Sequence, residues 1–203
     1  MHLIFRRYAG AADRATEAAQ RAQAGLVPLL KTHQGFHGYV AFPSEQGDIV
    51  SCSIYADDAA AARSADQVRG WVQGNLKGVM PDTPTETFSG TVGMHAMVTP
   101  QSGSPAQSLY CLVRKSEGVP TDGSQRQNVE EMLAAAQKSP GFRGAYFVHS
   151  DDDPTCGAFV LLCDTQESAT TVHDATMAIS RRNQPNIALR VAASGKTAVL
   201  AMA

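Results

Sequence analysis

The chain has 203 residues, room for one large domain or two small ones, and its 17 basic and 19 acidic residues leave a formal charge of −2. No stretch concentrates Lys and Arg among aromatics, which argues against a nucleic-acid face, and no run reaches the roughly 18 apolar residues of a membrane span. The opening MHLIFRRYAG sets its arginines after a short apolar alternation, not before a long apolar run, so it reads as a strand and not as a secretory leader; a soluble, cytoplasmic protein is expected.

Residues 2 to 8 alternate as a strand, and residues 11 to 33 carry helix formers with Leu26, Leu29 and Leu30 toward the end. That helix is predicted to stop at Gly35, where a C-cap takes positive φ, with Phe36 packing back on its last turn and Gly38 leaving room for a close approach in the next strand. A hairpin through SEQGD leads to a strand ending at Tyr55. Asp57 is placed to cap a second helix, which carries Val68, Trp71 and Val72 at helical spacing. GTVGMHAM, residues 90 to 97, closes the series as a last strand.

The series then repeats. QGFHGYVAF at 34 to 42 returns as PGFRGAYFV at 140 to 148, and the same offset of 106 residues lays HLIFRRY over SLYCLVR. Further on, Asp57 aligns with Asp164 if the second hairpin holds one extra residue, which sets Ala178 where Trp71 stands; GTVGMHAM matches GKTAVLAM. The reading is a tandem duplication: residues 1 to 97, a Pro/Gly/Ser/Gln linker at 98 to 107, and a divergent second copy at 108 to 203. Each copy reads β-α-β-β-α-β, an α+β ferredoxin-like unit with both helices on one face of an antiparallel sheet. Two such units packed sheet to sheet make a pseudo-dimeric α/β barrel, expected as a monomer or weak homodimer.

The corner residues Phe36 and Gly38, the alanines at 59 to 62, the W-V-x-x-N-L of Trp71, Val72, Asn75 and Leu76, and the following Pro81, Pro84 and Gly90 resemble the antibiotic biosynthesis monooxygenase family of dimeric α/β barrels. The resemblance covers most of residues 2 to 97 and implies a small-molecule protein; the family includes cofactor-free quinol-forming oxygenases and haem-degrading enzymes. Of the Asn, Trp and axial His used by the haem-degrading branch, only Trp71 is matched here, so no cofactor is expected.

On the first strands of the two copies, Leu3 and Phe5 with Leu109 and Cys111 suit the face under the helices. His2, Ile4, Arg6 and Tyr8 with Ser108, Tyr110, Leu112 and Arg114 are then expected to face an interior shared by the copies. A buried arginine needs a partner, so Arg6 and Arg114 are candidate anchors for an anionic or phenolate ligand. His37 and Tyr39, on the strand face opposite Phe36, with Tyr55, Ser51, Ser53, Trp71 and Tyr110, complete an aromatic pocket. Cofactor-free oxygenation needs a base to form an electron-rich substrate anion, a role open to His37 or His95; the alternative is a non-catalytic binding protein. Gly35 breaks the helix that would align His33 with His37 for a metal, and DDDPT at 151 to 155 lacks the ligand pattern of a calcium loop. Cys52, Cys111, Cys156 and Cys163 include no C-x-x-C pair and read as reduced, packed thiols.

Overall fold

The structure is a computed structural model and describes residues 1–98 and 108–203. Of the linker expected at 98 to 107, only Val98 lies within the described residues.

The first unit opens with β1 (His2–Tyr8) and a helical stretch in three pieces: α1 (Ala15–Arg21), a π-helical turn (Ala22–Leu26) and α2 (Val27–Thr32). Pro28, in the first turn of α2, offers no N–H to the carbonyl four residues back, and the widened turn absorbs the interruption. β2 (Phe36–Pro43), β3 (Ile49–Tyr55), α3 (Asp58–Asn75) and β4 (Glu86–Met97) follow. The second unit is built from β5 (Tyr110–Glu117), α4 (Gln125–Lys138), β6 (Phe142–Ser150), β7 (Cys156–Cys163), α5 (Gln166–Asn183), β8 (Ala188–Lys196) and β9 (Val199–Met202). The two repeats thus fold to the same β-α-β-β-α-β outline.

The repeated glycine corner acts as a helix stop. Gly35 and Gly141 sit at φ +87° and +77°, and each carbonyl accepts the backbone N–H that opens the turn before the next helix, from Ala56 at 2.7 Å and Asp164 at 2.8 Å. Asp57 caps α3, accepting the Ala60 N–H at 2.7 Å. In the second copy the cap is Thr165, in a capping box with Ser168, and not Asp164. Asp164 is held instead by Arg143, in two hydrogen bonds of 2.5 and 2.7 Å. The second hairpin therefore carries two extra residues. Since α3 and α5 are both 18 residues long, the counterpart of Trp71 is Ile179 and not Ala178.

The strands cross the repeat boundary. Strand order in the first unit is β4-β1-β3-β2-β9 and in the second β8-β5-β7-β6-β4, so the compact units are Met1–Thr91 with Thr197–Ala203, and Val92–Lys196. Each four-stranded repeat leaves the outer edge of β2 or β6 unpaired, and the last strand of the other repeat satisfies that edge. Gly38 and Gly144 permit it. A Cβ on Gly38 would lie 3.1 Å from Met202 Sδ, and one on Gly144 would collide with Met97 Sδ.

The two faces of the sheet are the reverse of the sequence expectation. In the first unit Tyr39, Ala41, Tyr55 and Ile4 pack with Leu26, Leu30, Val68 and Trp71 of the helices. In the second, Tyr110 and Leu112 pack with Val129, Met132, Leu133 and Val172. The alternate set lies on the face away from the helices, where Leu3, Phe5, Val50, Cys52, Cys111 and Val113 are all at 0% exposure. The physical reason is the small side chains of α1: they leave room for long polar groups beneath the helix, whereas Leu, Phe and Val suit full burial.

Candidate functional site

In the first unit a cavity of about 50 Å³ lies between the helices and the sheet. That is space for a few water-sized occupants. Its floor is polar, built from Arg6 and Tyr8 of β1, Tyr39 of β2, and Ser51 and Ser53 of β3. Strand register explains the cluster: Arg6 pairs with Ser51 across β1 and β3, and Tyr39 pairs with Ser53 across β2 and β3, so all project to the same side. The roof is Ala15, Ala18, Ala19 and Ala22, a stripe of small residues at helical spacing, and Val68, Val72 and Leu76 close one flank.

Among the described residues Arg6 is the only one lining the cavity with a formal charge at neutral pH. Burial pushes the Tyr39 hydroxyl well above the ordinary phenol range; nearby Tyr8 adds to the effect, and the Arg6 charge and a hydrogen bond with Ser51 oppose it. Tyr8 is raised for the same leading reason, again opposed by Arg6. Both phenols are therefore neutral hydrogen-bond donors at physiological pH. The site offers one cation, two phenolic O–H groups and two hydroxyls, an arrangement that accepts an oxyanion.

The same shift has a consequence for stability. An unfolded tyrosine ionises near pH 10, and Tyr39 in the folded chain holds its proton to higher pH. Its contribution is complete below about pH 10 and is lost as pH climbs through the folded value, because the unfolded chain releases its proton first. Tyr39→Phe is expected to make the alkaline fall in stability shallower than in the parent, measured by urea unfolding at pH 9, 10 and 11. Curves with equal slopes would rule out a desolvated, protonated Tyr39 hydroxyl.

Not all expected site residues meet here. Arg6 and Tyr39 line the cavity; Tyr55 does not, being 2% exposed with its ring edge-on to Phe36 at 6.2 Å. A β-bulge between Phe36 and Gly38 explains the misplaced His37. The extra residue brings Phe36 and Tyr39 to the helix face together and leaves His37 exposed, its carbonyl accepting the Ala203 N–H at 3.0 Å. Trp71 lies outside the cavity, over Gly25 of the π-helical turn, where an added Cβ would come within 2.7 Å of its ring. His95 belongs to the second unit, exposed and stacked on Tyr146 with ring centroids 6.0 Å apart. Tyr110 and Arg114 are also in the second unit, Tyr110 in the core beneath α4 and Arg114 in a separate cavity. The roof had escaped notice, although Ala15, Ala18, Ala19 and Ala22 were legible as a small-residue stripe.

Cys52, Cys111 and Cys163 are buried and Cys156 partly so, and none of the four is in a disulfide. Burial pushes the Cys163 thiol up to about 11, the opposite of an activated nucleophile. No helix among the described residues is long and apolar enough to cross a membrane.

No protein-family model matches the sequence, and no curated protein matches it either. Solved structures do. A "putative monooxygenase" from Fusobacterium nucleatum superposes with a TM-score of 0.75 at 12% identity, covering 99% of this chain and 94% of that one. Another so described, from Lactobacillus acidophilus, gives 0.70 at 10% identity, covering 99% and 95%. An anthrone oxidase-like protein gives 0.62 at 9% identity, covering 99% and 92%. Likeness over nearly the whole of each chain, together with two β-α-β-β-α-β units in one polypeptide, gives this protein the fold of the dimeric α/β-barrel superfamily.

Proposed function

We propose that the first unit binds a small phenolic or enolic aromatic compound as its anion, the alanine roof moving outward to admit a ring that the cavity of about 50 Å³ does not hold as it stands, and that the chain is a cofactor-independent monooxygenase acting on that anion. The observation that carries this reading is Arg6, a cation in an otherwise neutral cavity with the donors Tyr8 and Tyr39 beside it. Its guanidinium lowers the pKa of a bound phenol or enol, so the substrate ionises where it sits. The electron-rich anion passes one electron to O₂, the two radicals join at the C–H carbon conjugated with the ionised oxygen, and the peroxide anion takes up the proton released on ionisation to give the hydroperoxide. The hydroperoxide then loses water to leave a carbonyl. One oxygen enters the product, the other leaves as water, and a CH₂ becomes C=O. The likeness to proteins named for monooxygenase and anthrone oxidase chemistry supports the same class. Because each repeat receives its outer strand from within the same chain, the protein works as a monomer or weak homodimer, in the cytoplasm.

The second reading, a binding protein without chemistry, is favoured by one observation: among the described residues neither a histidine nor a carboxylate lines the cavity. The substrate's own acidity must then suffice. Calorimetric titration with anthrone and with hydroquinones, followed in an oxygen electrode, separates the two. Binding in the micromolar to millimolar range, about 4 to 8 kcal/mol, is expected. Arg6→Met is expected to weaken binding by at least about tenfold, the scale of a charge-assisted hydrogen bond. His37→Ala, outside the cavity, is expected to change neither binding nor oxygen uptake. Binding without uptake leaves the binding-protein reading, and no binding removes both.

A further inference from the structure

The second unit has a cavity of its own, beneath α4 and α5, with a volume of about 20 Å³. Arg114 of β5 enters it at 2% exposure. Its guanidinium donates to Thr176 Oγ1 at 3.2 Å and to Met132 Sδ at 3.6 Å, and lies 5.0 Å from the centre of the Phe159 ring. None of these partners is charged, and among the described residues no carboxylate lines the cavity. Burial lowers the Arg114 pKa to about 10, so the group is still a cation at neutral pH.

Unpartnered polar atoms surround the same space. Ser116 Oγ, on a residue 8% exposed, and Gln184 Nε2 are buried donors without an acceptor, and both residues line the cavity. Gln125 Oε1 is a third orphan; as an acceptor it takes no part in holding an anion. A buried cation and buried donors are each unfavourable alone, and one negative charge at their centre relieves all of them. A single water-sized occupant needs roughly 10–15 Å³, so the cavity takes one small ion. An adjoining cavity of about 160 Å³ shares Gln125, Val129 and Phe147 with it.

We propose that the second unit is a receptor for one small monovalent anion, held by Arg114 with Ser116 and Gln184. The anion is either a free halide or the carboxylate end of a short organic acid whose tail occupies the adjoining cavity. The divergent repeat is on this account not an emptied copy of the first: by strand register Arg114 is the counterpart of Arg6, with Phe159 where Ser51 stands and Ser116 where Tyr8 stands. This site and the Arg6 cavity lie in different units, so neither proposal rests on the other.

The test uses the full chain. Melting temperatures are measured in sodium bromide, sodium formate and sodium benzoate for the parent and for Arg114→Met, so that general salt effects cancel between the two proteins. The parent is expected to gain stability with the logarithm of anion concentration while Arg114→Met does not respond. Crystals soaked in bromide are expected to show an anomalous peak beside Arg114 and Ser116 if the ligand is a free halide. A response to formate or benzoate without a bromide peak assigns the organic acid. If Arg114→Met does not fold, Ser116→Ala is expected to weaken the response about tenfold. Equal responses from the parent and Arg114→Met, or from the parent and Ser116→Ala where that variant stands in, would overturn the proposal, as would only water at the site in bromide crystals with no response to the organic acids.

Discussion

Gly141→Ala is expected to lower the unfolding free energy by about 2 to 5 kcal/mol, through two separable effects. The first is conformational: at φ +77° an L-residue carries the left-handed penalty of about 1–2 kcal/mol. The second is steric. A Cβ at this position would lie 2.7 Å from Ser168 Cβ and 2.8 Å from Ser168 Oγ, and Ser168 is half of the capping box that starts α5. Relieving the overlap means moving the helix start or giving up the cap, each worth about 1 kcal/mol or more. Gly123 supplies the control: it has φ +84° with nothing within 4 Å, so Gly123→Ala shows the conformational part alone. Gly35→Ala repeats the experiment in the first unit, where the added Cβ would meet Ala60 Cβ at 2.8 Å. Urea unfolding of the three variants decides the matter. A Gly141→Ala protein no less stable than Gly123→Ala would mean that the corner is not packed as described.

The same corner shows what the sequence could and could not disclose. A helix stop is a local event, so Gly35, Phe36 and their echo at Gly141 and Phe142 were enough to find the repeat and its β-α-β-β-α-β order. The bulge after Phe36 was not legible, since strand alternation assumes two residues per pleat and one inserted residue turns His37 away from Tyr39. The hidden second insertion in the later hairpin moved the cap from Asp164 to Thr165 and the Trp71 counterpart from Ala178 to Ile179. Polarity marked Arg6, Tyr39 and Arg114 as unusual strand residues; it could not say which side of the sheet had space for them. That depended on α1, whose alanines act by what they leave unfilled. The exchange of β4 and β9 was beyond local pattern too, because GTVGMHAM and GKTAVLAM read as final strands whichever edge they join.

Those alanines provide the most direct handle on the proposed site. Ala22, 4% exposed, projects into the cavity roof, and Ala22→Leu places an isobutyl group in the space a ligand needs. The substitution leaves Arg6, Tyr8 and Tyr39 in place, so it removes volume without removing charge. Filling a cavity commonly stabilises by about 0.5–2 kcal/mol, and overpacking costs about 1–3 kcal/mol; the net change in stability is therefore expected to stay within about 1–2 kcal/mol. Binding is another matter, since a rigid ligand cannot share the space with a leucine. Affinity for the aromatic anion is expected to fall at least about a hundredfold, equivalent to about 2.7 kcal/mol. Ala24→Leu, two residues along on the exposed side of the same turn, is the control and is expected to bind like the parent. Calorimetry on the three proteins gives the answer. If Ala22→Leu binds as tightly as Ala24→Leu, the ligand lies elsewhere, and a loss seen in Arg6→Met would then reflect the fold and not the site.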